Sequence, residues 1–348
     1  MTSDVEPGGD RGTGGAAEGA TLLRIGILGA ARIAPSAVIK PARSNAGVEV
    51  AAIAARDTER AASFAAKHEI PSVHGSYDEL VSDPSVDAVY NPLPNGLHGR
   101  WTLAALRAGK HVLCEKPFTA NAGEARAVAE AAQGTGLVVM EAFHYRYHPV
   151  AQRVVEIIRS GELGPLRHVE ASACAPIPRF SDIRYRFDLA GGALMDIGCY
   201  AVHMVRTLAG AEPEVVAAKA KLHGADIDRA MRAQLLFPGD VTGRIVGSLW
   251  SSDLLRLSLR AVGERGELHV LNPLSPQSGH RITVRTDGAR RRVERLSRRP
   301  SYEYQLDAFV AAVRAKTPVL TGPDDAIQNM TVIDDIYRAA GLPVRRPS

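Results

Sequence analysis

The sequence predicts an α/β domain with a doubly wound parallel sheet, followed by an α+β domain with a large, mostly antiparallel open-faced sheet. Two observations lead to this fold class. From 22 to 142, short apolar runs alternate with helix-like segments, which is typical of a parallel sheet covered on both faces. After Pro149, apolar and polar residues alternate along longer runs, as in an antiparallel sheet with one buried face. We therefore expect domains at 22–143 and 144–348.

The composition agrees with two such domains. Of 348 residues, 45% are hydrophobic and 23% charged, so each domain is long enough to bury a core. No apolar run approaches the ~20 residues of a membrane-spanning helix, and no membrane partner is expected. Three widely spaced cysteines and the lack of an apolar leader predict reduced thiols in the cytoplasm. Residues 1–21, rich in glycine and acidic residues, predict a disordered tail.

The excess of basic residues is small and local. Forty-two Lys and Arg against 38 Asp and Glu give a formal charge of +4, and the excess gathers in Arg290–Arg299. This run contains no aromatic residue, unlike a nucleic-acid-binding face, so no nucleic-acid partner is expected. We interpret the run as a solvated loop or strand edge.

Five strands and four helices are predicted in the first domain. Capping-box spacings mark two helix starts, Ser76 to Glu79 and Asn121 to Glu124. The predicted strands are Leu23–Leu28, Val48–Ala54, Ala88–Asn91, His111–Cys114 and Leu137–Ala142. The predicted helices are Ile33–Arg43, Thr58–Lys67, His98–Ala108 and Asn121–Gln133.

The second domain is predicted to begin with a helix over Val150–Ser160 and to end with two more, Tyr302–Ala315 and Asp324–Ala340. Strands are expected between them at Arg167–Ala175, Val215–His223, Ala230–Phe237, Thr242–Trp250, Leu255–Val262 and Arg281–Thr286. In Leu255–Val262, leucine and alanine alternate with arginine and serine, which predicts a strand buried on one face. If helices cover that face, the other one needs water or another subunit.

The first strand runs into GAARIA at Gly29–Ala34, a G-x-A-x-x-A version of the dinucleotide-binding fingerprint of Rossmann domains. Gly29 permits a tight turn, Ala31 lets a pyrophosphate approach the backbone, and Ala34 lets the helix pack closely on the strand. The N–H groups that open the helix would face the phosphates. A plain βα turn of small residues is the alternative. The candidate cofactor residues of this turn are Gly29, Ala30, Ala31, Arg32 and Ile33.

The end of the second strand favours NADP(H) over NAD(H). An NAD site usually has Asp or Glu at this position, whereas an arginine suits the additional phosphate of NADP. Here Ala55 is followed by Arg56, whose guanidinium can bind phosphate through two hydrogen bonds. Asp57 is expected to cap the following helix instead.

Two other groups of residues carry acid/base side chains. Glu115 and Lys116 directly follow a predicted strand, and in open α/β sheets such residues face the ligand crevice. Read as a helix, the segment after the Gly-Gly pair places Asp196, Tyr200 and His203 on one side. An exposed pair at a strand end and a solvated helix face are the alternatives.

Four motifs resemble the glucose–fructose oxidoreductase/inositol dehydrogenase (Gfo/Idh/MocA) oxidoreductases. They are GILGAARIA at Gly26–Ala34, PLPNGLH at Pro92–His98, GKHVLCEKP at Gly109–Pro117 and GGALMDIGCY at Gly191–Tyr200. The resemblance implies a Rossmann domain followed by a domain with an open antiparallel sheet. Tyr200, where other branches have histidine, is similar to the branch of glucose–fructose oxidoreductase, dihydrodiol and D-xylose dehydrogenases and sugar ketoreductases.

The resemblance also implies roles for single residues. Lys116 would be the catalytic lysine, Asp196 and Tyr200 the paired residues on the substrate side, and Glu115 a contact of the nicotinamide ribose. The peptide bond before Pro117 is often cis in the family. The nicotinamide end would be lined by Pro92, Leu93, Asn95 and His98. The candidate substrate residues are Phe143, Arg146, Arg184, Tyr185 and His203.

Interconversion of a hydroxyl and a carbonyl requires hydride transfer by the cofactor and proton transfer by the protein. A free tyrosine titrates near ~10, and we expect the Lys116 ammonium to lower the pKa of Tyr200. Tyr200 is then the general acid/base, and Lys116 holds the substrate hydroxyl while Asp196 keeps Lys116 charged. His203 is expected to contact a sugar hydroxyl or to serve as a reserve acid/base.

These residues predict an NADP(H)-dependent oxidoreductase that acts on a sugar, a cyclic polyol or a nucleotide-linked keto-sugar. A trans-dihydrodiol dehydrogenase and a non-catalytic NADP-sensing protein are the alternatives. The His and Cys residues have no metal-ligand spacing, so no metal is expected. The resemblance implies a homodimer or a dimer of dimers through strands of the second sheet such as Leu255–Val262.

Overall fold

Two β-sheets organise the computed structural model, which describes residues 22–348. The predicted tail, residues 1–21, lies outside the described residues. The strands of the first sheet are β1 (Leu23–Leu28), β2 (Val48–Ala54), β3 (Ser72–His74), β4 (Ala88–Asn91), β5 (His111–Cys114) and β6 (Val139–Glu141). They lie in the order β3-β2-β1-β4-β5-β6, and every pair is parallel. The strand order reverses between β1 and β4, and at such a switch point a crevice opens for a ligand.

The helices of the first domain are α1 (Lys40–Arg43), α2 (Thr58–His68), α3 (Tyr77–Ser82), α4 (His98–Arg107) and α5 (Ala122–Ala132). The predicted caps are confirmed, since the side chains of Asp57, Ser76 and Asn121 accept backbone N–H groups at the starts of α2, α3 and α5. The single helix predicted over Ile33–Arg43 is wrong in detail. A π-helical turn precedes α1, because the chain there contains two prolines without an amide N–H, and Lys40 donates to the carbonyl of Pro35.

The second sheet has eight strands, of which all neighbouring pairs but β7–β10 are antiparallel. They are β7 (Leu166–Cys174), β8 (Glu214–His223), β9 (Ile227–Phe237), β10 (Val241–Ser248), β11 (Arg256–Gly263), β12 (Gly266–Leu271), β13 (Arg281–Thr286) and β14 (Arg292–Glu294). Their order is β14-β13-β12-β11-β7-β10-β9-β8. The predicted fold class is therefore confirmed, although β12 and β14 carried no strand signal strong enough to be predicted.

Four helices pack against these sheets: α6 (Pro149–Arg159), α7 (Cys199–Ala209), α8 (Ser301–Ala315) and α9 (Pro323–Ala339). Helix α7 contacts β7 and β10, and α9 contacts β8, so helices cover one face of the second sheet. Helix α8 instead returns to the first domain and buries Leu306 and Phe309 in its core. The three cysteines are buried and unpaired. Within 22–348, no helix is both long and apolar enough to cross a membrane.

The other face of the second sheet is uncovered in the single chain and rich in arginine. Along β11, Leu259 and Ala261 point into the core, while Arg256 and Arg260 are exposed on this open face. Leu255 was expected to join the buried side, but it precedes the strand and its surface is 74% exposed. The open face holds a cavity of about 290 Å³ lined by Arg260, Glu267, His269, Arg281, Thr283, Arg285 and Arg291. Strand β14 contains part of the arginine run and lies at the edge of the sheet. This agrees with the interpretation of the run as a solvated loop or strand edge.

Candidate active site

The turn after β1 has the backbone of a phosphate-binding turn. Gly29 has a φ of +92°, and a Cβ atom there would lie 3.2 Å from Cδ2 of Leu93. In the described part of the chain, the amides of Arg32 and Ile33 make no hydrogen bond. Free amides that precede a helical turn are suited to bind an anion. The predicted turn residues, Gly29 to Ile33, thus present free amides, and their contact with a dinucleotide pyrophosphate stays a prediction.

Two arginines lie at the carboxyl end of β2. Arg56 is exposed and follows the buried Ala55. Arg60, one helical turn further in α2, donates from Nη2 to the carbonyl of Ala30 in the phosphate turn at 2.8 Å. Burial raises the pKa of the nearby Tyr77 hydroxyl, and both guanidinium groups oppose that change. Arg60 was not among the predicted site residues, although its four-residue spacing from Arg56 could have indicated it.

Lys116 lies where the two domains meet. Its Nζ donates to the backbone carbonyl of Asp196 at 2.6 Å and lies 3.8 Å from Oδ1 of the same residue. Burial, the largest single effect, disfavours the charged amine, but Asp196 together with Cys199 and Glu115 outweighs it, so the pKa of Lys116 is raised. Lys116 is therefore a cation. The peptide bond between Lys116 and Pro117 is cis, in the form that the resemblance implied.

Glu115, the neighbour of Lys116, is almost completely buried. Its Oε1 accepts a hydrogen bond from the Tyr90 hydroxyl at 2.8 Å, and its Oε2 accepts one from the Lys116 amide at 3.3 Å. Burial raises the pKa of Glu115 above its ordinary value, while Lys116 opposes the change. The carboxylate thus fixes the end of β5 through contacts with the protein, and its predicted contact with a ribose stays a prediction.

Asp196 lies between two cations. Besides Lys116, it contacts Arg184, whose Nε donates to Oδ1 of Asp196 at 3.0 Å. Asp196 is the chief cause of the raised pKa of Arg184. A second carboxylate, Asp182, accepts from Nη1 of Arg184 at 2.9 Å and lies 3.6 Å from Arg32 of the phosphate turn. This chain of ion pairs links the phosphate turn of the first domain to the acid/base side chains of the second.

Tyr200 completes the group as a protonated phenol. Its ring centre lies 5.3 Å from Nζ of Lys116, and its surface is 6% exposed. Burial raises the pKa of Tyr200 well above its ordinary value, and the nearby Tyr302 and Glu115 raise it further. The expectation that Lys116 lowers this pKa is wrong, because the ammonium is paired with Asp196 and the hydroxyl is buried. Tyr200 is therefore suited to donate a proton.

His98 is buried, and each of its ring nitrogens lies close to a backbone carbonyl. Its two ring nitrogens lie 2.7 Å from the Pro117 carbonyl and 2.6 Å from the Leu93 carbonyl. Burial lowers its pKa to about 4, although both carbonyl contacts oppose this change. His98 therefore lies between the segment that follows β4 and the segment that follows β5, and its predicted contact with the nicotinamide stays a prediction. Of the other residues predicted for that end, Pro92 is buried and Asn95 donates to the carbonyl of Ala190 at 3.1 Å.

Three predicted substrate contacts are also supporting residues. Both ring nitrogens of His203 are occupied, Nδ1 by the Tyr145 hydroxyl at 2.5 Å and Nε2 by Asp325 at 2.9 Å. Phe143 is fully buried and stacks on His203 at 4.2 Å, and the hydroxyl of Tyr185 donates to the carbonyl of Ile177 at 2.7 Å. The polar atoms of His203 and Tyr185 are engaged within the chain, and the predicted contacts of all three side chains with a substrate stay predictions. The half-buried guanidiniums of Arg146 and Arg184 stay candidates.

Tyr302, at the start of α8, borders the same site and was not predicted. Its ring centre lies 4.1 Å from that of His144. It is close enough to Tyr200 to raise the pKa of that residue, and Glu115 is close enough to raise the pKa of Tyr302. Burial is the main cause that lowers the pKa of His144 to about 3. No motif around Tyr302 marks it as a site residue. It reaches the site only because α8 returns to the first domain.

Sequence models of known families match both domains. A model described as the oxidoreductase family with an NAD-binding Rossmann fold matches residues 23–143, and one described as the GFO/IDH/MocA C-terminal domain matches residues 151–269. The chain belongs to the GFO/IDH/MocA oxidoreductase family. Among the residues that the structure describes, no group of three metal-binding side chains could hold a metal ion.

Relatives of this GFO/IDH/MocA protein include sugar and nucleotide-sugar oxidoreductases. D-xylose 1-dehydrogenase (NADP(+)) 2 of Haloferax volcanii is 37% identical over 319 residues, which cover 91% of this chain and 97% of that one. dTDP-3,4-didehydro-2,6-dideoxy-alpha-D-glucose 3-reductase of Streptomyces violaceoruber is 36% identical over 307 residues, 86% and 88% of the two chains. The solved structure of a 3-ketoreductase from Actinomadura kijaniata, in complex with NADP and TDP-benzene, superposes with a TM-score of 0.84 at 29% identity, covering 92% and 98%. The protein is therefore an oxidoreductase with an NAD(P)-binding domain.

Proposed function

We propose that this protein is an NADP(H)-dependent oxidoreductase that interconverts a hydroxyl and a carbonyl group on a sugar or a nucleotide-linked keto-sugar. The observation that carries the proposal is the meeting of Lys116, Asp196 and Tyr200, which come from the two domains. Lys116 contacts Asp196 through both its backbone carbonyl and its carboxylate, and Tyr200 lies directly beside the ammonium. A cation and a proton donor next to a dinucleotide-binding domain suit the reduction of a carbonyl.

Each residue has a distinct part in this proposal. NADPH, when bound, supplies the hydride. The Lys116 ammonium donates a hydrogen bond to the substrate oxygen and stabilises the negative charge that develops there. Tyr200 gives its proton to the same oxygen as the carbonyl is reduced, and takes it back in the oxidation. Because burial keeps Tyr200 protonated, the resting site is prepared for the reduction.

The ketoreductase from Actinomadura kijaniata supports the two reactive residues. Its solved structures include a variant with one tyrosine replaced by phenylalanine and variants with one lysine replaced by alanine or glutamate. The separation of these two positions along that chain equals the separation of Lys116 and Tyr200 here. The roles proposed for Lys116 and Tyr200 agree with that spacing.

The preference for NADP(H) rests on the end of β2. The acidic side chain there, Asp57, caps α2 by accepting the Arg60 amide, while Arg56 and Arg60 offer two guanidinium groups to a phosphate. The Haloferax relative is named for NADP(+), and the Actinomadura ketoreductase was solved with NADP. These observations support NADP(H) over NAD(H).

Charge at the site favours a polyhydroxylated substrate over a dihydrodiol. Relatives such as the trans-1,2-dihydrobenzene-1,2-diol dehydrogenase of Macaca fascicularis are 35% identical over 229 residues, 65% of this chain and 67% of that one. A diol of that kind calls for a flat, apolar pocket. Phe143, Tyr145 and Tyr185 are buried, and the hydroxyls of the two tyrosines are hydrogen-bonded within the chain, whereas Arg184 lies at the site. We therefore place the dihydrodiol reaction second.

The test is the nicotinamide absorbance of the purified protein with NADP+ or NAD+ and a panel of aldoses, inositols and a trans-dihydrodiol. We expect reduction of NADP+ with at least one aldose, and slower reduction of NAD+ with the same sugar. A response to the dihydrodiol alone would favour the second reaction. Tight NADP(H) binding with no turnover across the panel, and none with keto-sugars and NADPH, would contradict both and favour a sensor.

A further inference from the structure

The chain after α9 carries a completely buried ion pair. Nη2 of Arg345 lies 2.8 Å from Oδ1 of Asp228, and both side chains are 0% exposed. Tyr337 donates a second hydrogen bond to the same oxygen at 3.0 Å. Taking two charges out of water is unfavourable, and the attraction between them repays this only with good geometry and further hydrogen bonds. The pair is therefore weak evidence for a gain in stability, and the other contacts of its two side chains indicate what it does.

Both partners of the pair bind the backbone that leads to Asp196 and Tyr200. Nε of Arg345 donates to the carbonyl of Gly191 at 2.6 Å. Oδ2 of Asp228 accepts the amide of Leu194 at 2.7 Å. These two backbone groups lie at the two ends of the turn that starts the acid/base segment, so the ion pair holds the turn from both sides.

Gly192 shows how closely the turn fits the pair. Its φ is +129°, and a Cβ atom there would lie 2.1 Å from Oδ1 of Asp228 and 2.9 Å from Nη2 of Arg345. Contacts that short do not occur for real Cβ atoms, so only glycine leaves space for the pair at this position. The turn is therefore formed around the ion pair.

The same tail is also fixed to the first domain. The carbonyl of Arg345 accepts a hydrogen bond from Nδ2 of Asn121 at 2.9 Å, and the amide of Ser348 donates to the carbonyl of Gly96 at 2.8 Å. Gly96 belongs to the segment predicted to line the nicotinamide. One short stretch of chain thus joins the segment on the cofactor side to the turn on the substrate side.

We propose that Arg345 is a positioning residue, which through Asp228 and Gly191 holds Tyr200 in place relative to Lys116 and the bound nicotinamide. The inference rests on the proposed function. A displacement of about 1 Å far from the reacting atoms can lower a rate about 10²-fold. Loss of Arg345 is therefore expected to lower turnover while the dinucleotide site, which lies in the first domain, keeps its affinity.

The test compares Arg345→Lys and the double variant Asp228→Asn/Arg345→Gln with the wild type. The double variant leaves no uncompensated buried charge, so it is expected to fold. Lysine keeps the charge but lacks the planar fork that reaches Asp228 and Gly191 together. We expect kcat to fall roughly 10- to 100-fold in the double variant and less in Arg345→Lys. NADPH affinity, measured by fluorescence titration, is expected to stay within about 2-fold.

Hydrogen exchange of residues 191–203 gives a readout that needs no substrate. Faster exchange there in the double variant, with unchanged exchange in the first sheet, would support the proposal even if the wild type turned over no substrate and the proposed function failed. Arg346→Ala, at an exposed neighbouring position, is the control and is expected to match the wild type. Wild-type kcat and exchange in a folded double variant would overturn the proposal. Global unfolding of both variants would assign the pair to overall stability and overturn it as well.

Discussion

Among single residues, the hydrogen bonds made within the chain distinguish side chains that have donors left for a ligand from side chains whose polar atoms are already bonded. The Lys116 ammonium has three N–H donors, and it uses one of them for the Asp196 carbonyl, so donors are left for a ligand. Each ring nitrogen of His98 and His203 lies within hydrogen-bond distance of a protein group, and the Tyr185 hydroxyl donates a hydrogen bond to a carbonyl. A residue such as Lys116 can therefore bind a ligand, whereas His98, His203 and Tyr185 hold the surrounding chain in place.

The two arginines at the end of β2 give a prediction about the cofactor. We expect Arg56→Ala to weaken NADP(H) binding roughly 10- to 100-fold, since a hydrogen bond to a charged group contributes about 1.5–3 kcal/mol. NAD(H) binding should not change, because NAD lacks the phosphate. Fluorescence titrations with NADPH and NADH measure both affinities. Arg43→Ala, which removes an exposed arginine paired with Glu69, is the control. An equal loss for the two dinucleotides would contradict the assignment.

The sequence predicted which side chains meet at the candidate site better than it predicted their surroundings. Lys116, Asp196 and Tyr200 lie in local motifs whose strand and helix contexts are readable from a few neighbours. The roles of His98 and His203 were not readable, because the partners that occupy their nitrogens come from other segments. The direction of the Tyr200 pKa shift was missed for the same reason, since burial by distant chain segments decides it.

At the scale of elements, local signals placed most helices and strands correctly where capping residues or long apolar runs were present. The missed strand β3 has only three residues, and β12 is bounded by glycine at its start, so neither presents a clear alternation. The turn before α1 departs from the predicted helix through its prolines. Helix α8 was predicted, but its packing against the first domain was not. That packing depends on the surface of the first domain, which cannot be read from the sequence of the helix.

The contact between α9 and α5 predicts a pH dependence of stability. Oδ2 of Asp334 accepts the amide of Ala122 at the start of α5, and burial raises the pKa of Asp334 to about 6. The folded state therefore binds more protons than the unfolded state between about pH 4 and pH 6. Stability falls as the pH rises through that window and is then level. The free energy of unfolding lost in this way is at most about 3 kcal/mol above pH 6, and none is lost below about pH 4. Asp334→Asn should remove this pH-dependent loss.

Urea unfolding of Asp334→Asn and of the wild type, near pH 5 and near pH 8, measures the effect. The gain in the free energy of unfolding should be larger at the higher pH. Asp335→Asn is the control, because that neighbouring carboxylate is exposed and paired with Arg338. The same gain at both values of pH would show that the charge of Asp334 is not the cause.

For the whole molecule, the open face of the second sheet is the surface that most needs a partner. We propose that two copies associate through it, as a homodimer or a dimer of dimers. Ser258 lies near the middle of this face, beside Ser172 of β7. We expect Ser258→Arg to dissociate the assembly, because it adds charge and bulk at the contact without entering the core. Light scattering at micromolar concentration gives the mass.

Ser82→Arg is the matched control, since Ser82 is exposed on the first domain, away from the second sheet. It should leave the mass unchanged. A monomeric wild type, or a Ser258→Arg variant that keeps the wild-type mass, would contradict association through this face.

The measurement that tests the central proposal most directly is steady-state turnover of Tyr200→Phe with the preferred sugar and NADP(H), alongside its NADPH affinity. Removing the proton donor should lower kcat roughly 10²–10⁴-fold and leave NADPH affinity unchanged. Tyr304→Phe, which removes a phenol hydroxyl outside the site, should behave as the wild type. Near-normal turnover of Tyr200→Phe would exclude Tyr200 from the proton transfer and contradict the mechanism.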